Sequence, residues 1–165
     1  MNSKSDSSRA SLLYPNLTDQ EKENIEQEIK QATQGIADAA NNLDTDYFRS
    51  VYWNDDQAIL IDPSYGVVDY DTYKDATEEM YSGLEMINFI KDTIMVRVID
   101  ENTAYAVFKG SAKGEAKNGT KMGINDFYAS MVSEKVDVQW KIAHTHESFK
   151  QEMMMPSTSD STTVE

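Results

Sequence analysis

Cysteine is absent from the 165-residue chain, and histidine occurs only twice, at His144 and His146. Without thiols the protein can form neither a disulfide framework nor a thiolate zinc site, and it has no cysteine nucleophile. Redox chemistry by the protein's own thiols is therefore excluded. The two histidines, one residue apart near the end of the chain, stand out as candidates for catalysis.

Basic residues are scarce as well. The chain has 15 lysines and arginines against 29 acidic residues, which gives a formal net charge of −14. Phosphate backbones and anionic membranes attract clusters of Lys and Arg. We therefore expect neither a nucleic acid nor a membrane as a partner.

Long hydrophobic runs are also missing, and so are the Gly-rich phosphate loop and the G-x-S-x-G elbow of two large enzyme classes. No segment approaches the roughly 20 apolar residues of a membrane span, and the first residues lack the apolar core of a secretory signal. These absences predict a soluble, cytoplasmic protein, although a sequence trimmed of an export signal would look the same. The lack of a Gly-rich phosphate loop and of a G-x-S-x-G elbow argues against phosphoryl transfer and serine-based acyl transfer.

The hydrophobic content of the chain suits one domain. Hydrophobic residues make up 39% of the sequence and aromatic residues 10%, which is enough to bury a core. The Ser- and Thr-rich, aperiodic ends predict two disordered tails, residues 1–17 and 150–165. The domain is expected at residues 18–149.

Helix signals come first within this domain. Thr18 and Glu21 form a capping-box pattern at the start of a long helix. Apolar residues then recur at spacings of three and four, which predicts one buried side: Ile25, Ile29, Ala32, Ile36, Ala39, Ala40 and Leu43. Asp44 is the expected N-cap of a short second helix, and Asp71 is that of a third helix ending near Leu84.

Strand signals dominate the second half. Two short strands, "QAILIDP" and "YGVVDY", precede the third helix, and four long strand-like segments follow it from Met86 to Phe149. Between the second and third of these, Asn118 and Gly119 predict a type I′ hairpin turn. Helices followed by an antiparallel meander predict an α+β fold with the helices on one sheet face.

Three stretches resemble the SnoaL-like branch of the nuclear-transport-factor-2-like superfamily, which also holds ketosteroid isomerase and scytalone dehydratase. "NNLDTDYFRSVYWNDDQAIL" is similar to the family's second helix and first strand, and "DENTAYAVFKG" to its hairpin into a Tyr-containing strand. "QWKIAHTHESF" resembles its closing strand of Trp, Lys, Ile and then His-x-His-x-Ser. The resemblance extends from about Thr18 to Phe149.

The resemblance implies a cone-shaped half-barrel, in which about three N-terminal helices pack on the concave face of a curved antiparallel sheet and leave an apolar pocket. It also implies a homodimer formed through the outer sheet face. It does not fix a reaction, because members include isomerases, dehydratases, hydrolases, cyclases and binding proteins. The stretch "SEKVDVQW" lacks the usual Gly before the Trp, which predicts an irregular last hairpin.

The last strand supplies the main catalytic candidates. Strict alternation from Trp140 places His144 and His146 on the same covered face as Ile142. Imidazole titrates near neutrality, and Asp126 on the neighbouring strand is the natural carboxylate partner, so these residues are candidates for acid/base catalysis. The alternative interpretation is that both histidines only link strands through hydrogen bonds.

Two further arrangements stay open. Histidines two residues apart on a strand, with Cα atoms roughly 6.5 to 7 Å apart, could share a metal ion, but no third ligand lies nearby in sequence. We therefore expect no metal and no cofactor. A pair like that of ketosteroid isomerase would use Tyr47 or Tyr52 as hydrogen-bond donor and Asp62 or Asp126 as base.

Aromatic residues predict a cavity for a hydrophobic small molecule. The set is Tyr47, Phe48, Tyr52, Trp53, Phe108, Phe127, Tyr128 and Trp140. Within it we expect Tyr47, Tyr52, Tyr128 and Trp140 to form the pocket wall. The predicted function is ligand binding, with cofactor-free acid/base chemistry of isomerase, dehydratase or hydrolase type. The alternative is a non-catalytic dimerisation or interaction module with a self-filled pocket.

Overall fold

The computed structural model describes the backbone of residues 17–154 and the side chains of residues 17–150. It begins with helix α1, Asp19–Asn41, where the predicted capping box is confirmed. The Thr18 hydroxyl accepts a hydrogen bond from the Glu21 amide, and the Glu21 carboxylate accepts one from the Thr18 amide at 2.7 Å. This reciprocal pair satisfies two amides that would otherwise lack partners.

Two shorter helices follow. Helix α2, Thr45–Val51, is capped by Asp44 as predicted. Helix α3, Tyr70–Gly83, is capped by Asp69 and not by Asp71, because the Asp69 carboxylate accepts from the Thr72 amide at 2.8 Å. Asp71 lies in the first turn instead, where its negative charge also suits the helix dipole.

Six strands form one sheet across residues 17–154. They are β1 Ile59–Asp62, β2 Gly66–Val68, β3 Leu84–Val98, β4 Thr103–Ala116, β5 Lys121–Val136 and β6 Gln139–Met154. Their spatial order is β2-β1-β6-β5-β4-β3. The four long strands form the predicted antiparallel meander. The short strand β1 pairs with β6 in parallel, so the sheet as a whole is mixed.

The helices cover one face of this curved, unclosed sheet, which confirms the predicted α+β cone. Helix α1 packs mainly on β3 and β4, and its Ile25 and Ile29 are buried in the main core. That core also takes Phe48 from α2, Tyr73 from α3 and residues from the inward faces of the long strands. The helix layer and the sheet layer therefore enclose a space between α2, α3 and the inward face of the sheet.

The turns between β4 and β5 and between β5 and β6 both differ from their predictions. At the Asn118–Gly119 turn only Gly119 has a positive φ, of 82°, and Ala116 pairs with Thr120 across a longer loop. A two-residue turn with two positive φ angles occurs instead at Asp137 and Val138, with φ of 47° and 63°. The last hairpin is therefore tight, although its sequence lacks the Gly that such turns favour.

The last strand continues beyond the predicted domain end at Phe149, reaching Met154. Residues 1–16 and 155–165, which make up most of the two predicted tails at 1–17 and 150–165, lie outside the described residues. Within residues 17–154, no helix combines the length and apolar character that a membrane span needs.

Candidate functional site

A β-bulge in β6 decides which side chains reach the helix-covered face. In the pairing of β5 with β6, Ser133 faces Ile142 and Val132 faces His144, so Ala143 is an extra residue. Ile142 and Ala143 are both buried, as expected where an extra residue shifts the alternation. Beyond the bulge the inward residues are Thr145, Glu147 and Phe149.

The two histidines consequently lie on the outer sheet face. His146 is exposed, and His144 is partly exposed, with its Nδ1 2.8 Å from the Ile59 carbonyl oxygen. Neither lines the central cavity described below. The prediction that they share the covered face with Trp140 and Ile142 is wrong, because strict alternation does not pass through the bulge at Ala143.

Asp126 also lies away from the covered face. It occupies a second bulge, in β5 between Asn125 and Tyr128, and has a positive φ of 48°. Its carboxylate forms an exposed ion pair with the Lys150 Nζ at 2.9 Å, and this partner lowers the pKa of Asp126. Asp126 therefore does not line the cavity, and the predicted acid/base group of Asp126, His144 and His146 on the covered face is not formed.

Only one of the four predicted wall residues, Tyr52, lines the cavity. Tyr47 lies against α1, with its hydroxyl 3.4 Å from the Ala32 carbonyl oxygen. The Trp140 Nε1 donates to Glu28 at 2.7 Å and ties β6 to α1. Tyr128 lies on the outer face and is 37% exposed.

A central cavity of about 310 Å³ lies between α1, α2, α3 and the inward sheet face. This volume is at the lower end of the range for small-molecule sites. Its apolar lining includes Ile36, Phe48, Phe89, Phe108, Phe127, Met131 and Phe149. Its polar lining includes Tyr52, Asp62, Tyr73, Glu79, Tyr81 and Glu147.

Glu147 is the central titratable group of this cavity. It projects from β6 beyond the bulge, and its Oε1 accepts a hydrogen bond from the Tyr73 hydroxyl at 3.1 Å. Burial raises its pKa, the Tyr73 hydrogen bond opposes that rise, and the negative charge of Asp62 adds to it. The resulting pKa is about 7, which suits a group that must take up and release a proton near neutrality.

Three tyrosine phenols surround this carboxyl group. Burial and the charge of Glu147 raise the pKa values of Tyr52, Tyr73 and Tyr81 well above the ordinary value of 10. The phenols therefore stay protonated at neutral pH and can donate hydrogen bonds. The rings of Tyr52 and Tyr73 pack against Phe48, with centroids 4.3 and 5.5 Å from it, so packing fixes their positions.

Asp62 lies at the end of β1, at the edge of the cavity. Its Oδ1 accepts hydrogen bonds from the Ser64 amide at 2.7 Å and the Tyr65 amide at 3.0 Å. This turn holds the carboxylate where its charge acts on Glu147. Of the residues weighed for the ketosteroid-isomerase-like pair, the structure thus brings Tyr52 and Asp62 to the cavity, but not Tyr47 or Asp126.

Sequence reasoning missed Glu147, Tyr73 and Tyr81. Strict alternation assigned Glu147 to the outer face, and the only local sign of the bulge is the pair of adjacent apolar residues Ile142 and Ala143. The α3 tyrosines carry a clearer signal, because Tyr73 and Tyr81 lie eight residues apart, about two helical turns. That spacing places both on one face of α3.

The described part of the chain contains no cluster of side chains that could bind a metal ion. Across residues 17–154, no three His, Asp or Glu side chains converge closely enough to hold an ion. His144 and His146 therefore lack the third ligand that joint coordination would need.

The family model of the SnoaL-like domain matches residues 29–152, and this match confirms the resemblance drawn from the sequence. It covers α1 from Ile29, near the middle of the helix, and all of the sheet except the last two residues of β6. No functionally curated protein is similar enough in sequence to match the chain.

Several solved structures share the fold at low sequence identity. A candidate scytalone dehydratase from Novosphingobium aromaticivorans superposes with a TM-score of 0.73 at 12% identity, over 84% of this chain and 93% of that chain. The hexachlorocyclohexane dehydrochlorinase LinA-type3 from Novosphingobium barchaimii gives 0.70 at 9% identity, over 86% and 97%. A nuclear-transport-factor-2-like protein from Salmonella enterica gives 0.69 at 18% identity, over 77% and 92%. At these identities the likeness establishes the fold alone.

Proposed function

The chain belongs to the SnoaL-like family, and from that premise we propose that its central cavity binds a hydrophobic small molecule and that Glu147 acts there as a general base. The observation that carries the proposal is the Glu147 carboxyl group, with a pKa of about 7, in a 310 Å³ cavity lined by aromatic rings. The dehydratase and dehydrochlorinase names among the structural neighbours are compatible with this reaction class. Both reactions begin with, or include, removal of a proton.

The proposed reaction removes a proton from a carbon atom of the bound molecule. The Glu147 carboxylate takes the proton, and the electron pair of the C–H bond moves into a neighbouring unsaturated group or expels a leaving group. The phenols of Tyr52 and Tyr81 supply hydrogen-bond donors for an oxygen atom that gains negative charge, while the Tyr73 hydroxyl stays bonded to Glu147. Removal of water from the site strengthens each of these interactions.

An open cavity favours this proposal over an interaction module with a self-filled pocket. Side chains of the described residues leave about 310 Å³ between the helices and the sheet. Three phenols and the Asp62 carboxylate of this lining interact with Glu147, whereas the alternative predicts an interior filled by apolar side chains.

A generic base-sensitive compound tests the chemistry without knowledge of the natural substrate. In 5-nitrobenzisoxazole, removal of the ring C–H proton breaks the N–O bond and yields a coloured phenolate nitrile. We expect the wild-type protein to accelerate this reaction with a rate that rises through an apparent pKa near 7. Glu147→Gln should lower the rate by at least about 100-fold.

Asp126→Asn is the matched control, because Asp126 is an exposed carboxylate outside the cavity, and it should leave the rate unchanged. Tyr73→Phe removes the hydrogen bond that stabilises the Glu147 carboxylate, so the pH profile should shift to higher pH. Tryptophan and tyrosine fluorescence would report whether the compound binds. Binding with equal rates for wild type and Glu147→Gln would refute the general-base role.

We also propose that the protein forms a homodimer through its outer sheet face. One row of side chains crosses this face from β3 to β1 at consecutive paired positions: Met95, Val107, Ser130, His146 and Ile61. Met95 is 51% exposed and Ile59, in the adjacent row, is 54% exposed. A second copy would cover these apolar groups, and the histidines would then lie at the interface.

A further inference from the structure

The charged groups of the central cavity are all of one sign. Three carboxyl groups line it, those of Asp62, Glu79 and Glu147. Among the described residues, no lysine, arginine or histidine lines the cavity. An anionic ligand would therefore meet like charge without a compensating partner, which disfavours its binding.

The nearby basic side chains are engaged elsewhere. Arg49 of α2 forms ion pairs with Asp46 at 2.7 Å and Glu78 at 2.6 Å. Lys74 of α3 lies 3.1 Å from the Asp75 carboxylate. Neither Arg49 nor Lys74 lines the cavity, so these two cations do not neutralise the negative charge of its carboxyl groups.

The aromatic lining is compatible with a positively charged ligand. The rings of Phe48, Tyr52 and Tyr73 lie within 5.5 Å of one another, centroid to centroid, at interplanar angles of 24° to 46°. Ring faces carry partial negative charge and attract cations such as ammonium groups. A hydrophobic cation would find apolar contact, ring faces and carboxylates in one cavity.

From these observations we propose that the ligand of the central cavity is a hydrophobic molecule with one positive charge, such as a protonated amine, and that its binding releases the proton of Glu147. This inference rests on the proposed function and names the substrate class of the same site. The cation would offset the charge of Asp62, which helps to keep Glu147 protonated in the empty cavity. Binding would thus convert Glu147 into the carboxylate that acts as a base.

The groups that face Glu147 come from four elements. They are Asp62 from β1, Tyr52 after α2, and Tyr73 and Tyr81 from α3, while its partner on β5 is the uncharged Ala129. Glu79 of α3 adds a further carboxyl group to the lining. The phenols do not ionise near neutral pH, so Glu147 is the group expected to account for proton release between about pH 6 and pH 8.

Three indole compounds of similar shape separate charge from size: tryptamine, tryptophol and indole-3-acetate carry positive, zero and negative charge. Isothermal titration calorimetry at pH 8 should show tryptamine binding at least about tenfold more tightly than tryptophol, with indole-3-acetate weakest. Between about pH 6 and pH 8 the affinity for tryptamine should rise about tenfold. Titrations at pH 6 in two buffers of different ionisation enthalpy should show release of about one proton per tryptamine bound.

Variants of the cavity carboxyl groups test whether these groups cause the preference for tryptamine over tryptophol. Glu147→Gln should abolish the proton release and the pH dependence, and Asp62→Asn should reduce the preference for tryptamine over tryptophol. Asp126→Asn changes the net charge of the protein by the same amount outside the cavity and should change neither. A preference that survives in Glu147→Gln and Asp62→Asn, but falls with added salt, would trace to the overall charge of −14 and overturn the inference.

Equal affinity for tryptamine and tryptophol in the wild type would also overturn it. That result would leave the benzisoxazole experiment untouched, because the latter uses a neutral compound and depends only on Glu147 as a base. Conversely, selective tryptamine binding with proton release, in a protein that does not accelerate the benzisoxazole reaction, would support the cation site and refute the general-base role.

Discussion

At the scale of single residues, Glu147 couples the proposed function to stability. Its pKa is about 7 in the folded protein, against an ordinary value of 4.5. Between these values the unfolded chain has lost the proton and the folded chain has kept it, so the free energy of unfolding falls as pH rises from about 4.5 to about 7. Well above pH 7 Glu147 is ionised in both the folded and the unfolded state, so the free energy of unfolding no longer changes with pH through this group.

Glu147→Gln should remove this pH dependence while keeping an oxygen for the Tyr73 hydrogen bond. Relative to wild type, the variant should gain up to roughly 3 kcal/mol of unfolding free energy between pH 4 and pH 8. Chemical denaturation at several pH values measures this difference. Asp126→Asn should act in the opposite sense, because Lys150 lowers the Asp126 pKa. An equal pH dependence in wild type and Glu147→Gln would contradict the placement of Glu147 in the cavity.

Val138 is a second residue with a local consequence. It has a φ of 63° in the turn between β5 and β6 and is 88% exposed. A β-branched residue with left-handed backbone is strained, whereas glycine adopts this conformation without steric conflict. Val138→Gly should therefore raise the unfolding free energy by about 1 kcal/mol, measured by thermal or urea denaturation.

Val67 provides the comparison for this prediction. It is 73% exposed, in strand β2, and has no positive φ. Val67→Gly should lower stability, because glycine is unfavourable inside a strand. Equal destabilisation by both substitutions would show that the Val138 turn is not strained in solution.

At the scale of secondary-structure elements, the close approach of β3 and β4 depends on Gly110. A Cβ atom at this position would overlap the Ile90 carbonyl oxygen and lie 2.8 Å from the Phe108 ring. Backbone atoms of a neighbouring strand cannot move aside as a flexible side chain can. Gly110→Ala should therefore destabilise the protein by about 2 kcal/mol or more, as measured by urea denaturation.

Gly83, the last residue of α3, is the matched position. A Cβ atom there would meet no atom within 4 Å, and alanine is the better helix former. Gly83→Ala should be neutral or stabilising by up to about 1 kcal/mol. If Gly110→Ala were equally neutral, the tight contact between β3 and β4 would be refuted.

Most elements could be predicted from the sequence because their signals are local. The capping box at Thr18 and the Asp44 cap use side chains within three residues of the amides they bind. The orientation of the last strand could not be predicted in this way. One extra residue at Ala143 reverses the expected faces of His144, His146 and Glu147, and the bulge is defined only by pairing with β5, a contact that strand periodicity does not contain.

The candidate site was less predictable than the fold for the same reason. Its members come from α2, β1, α3 and β6, which lie far apart in the sequence. The aromatic content correctly indicated a cavity, and Tyr52 and Asp62 were among the residues considered. The identity of the central acid, however, depended on the bulge.

At the scale of the whole molecule, the proposed homodimer makes a direct prediction. Val107 is the second of the five side chains in the row across the outer face, paired with Met95 on one side and Ser130 on the other. Val107→Lys would place a charged side chain within the surface that the second copy would cover, and should convert the dimer to a monomer. Sedimentation equilibrium measures the mass of both forms.

Lys113→Glu, at an exposed position further along β4, reports whether any change of charge on this strand has the same effect. We expect it to leave the dimer intact. A monomeric mass for the wild-type protein would refute the dimer without affecting the proposals for the cavity.

The parallel pairing of β1 with β6 has a consequence for biosynthesis. Within the described sheet β1 contacts only β2, which follows it closely, and β6, which lies some 80 residues later. As the polypeptide leaves the ribosome, the segment that carries Asp62 must wait for the closing strand before it can dock. We expect the nascent chain to expose its hydrophobic interior until synthesis passes Glu147, a period in which chaperones could engage it.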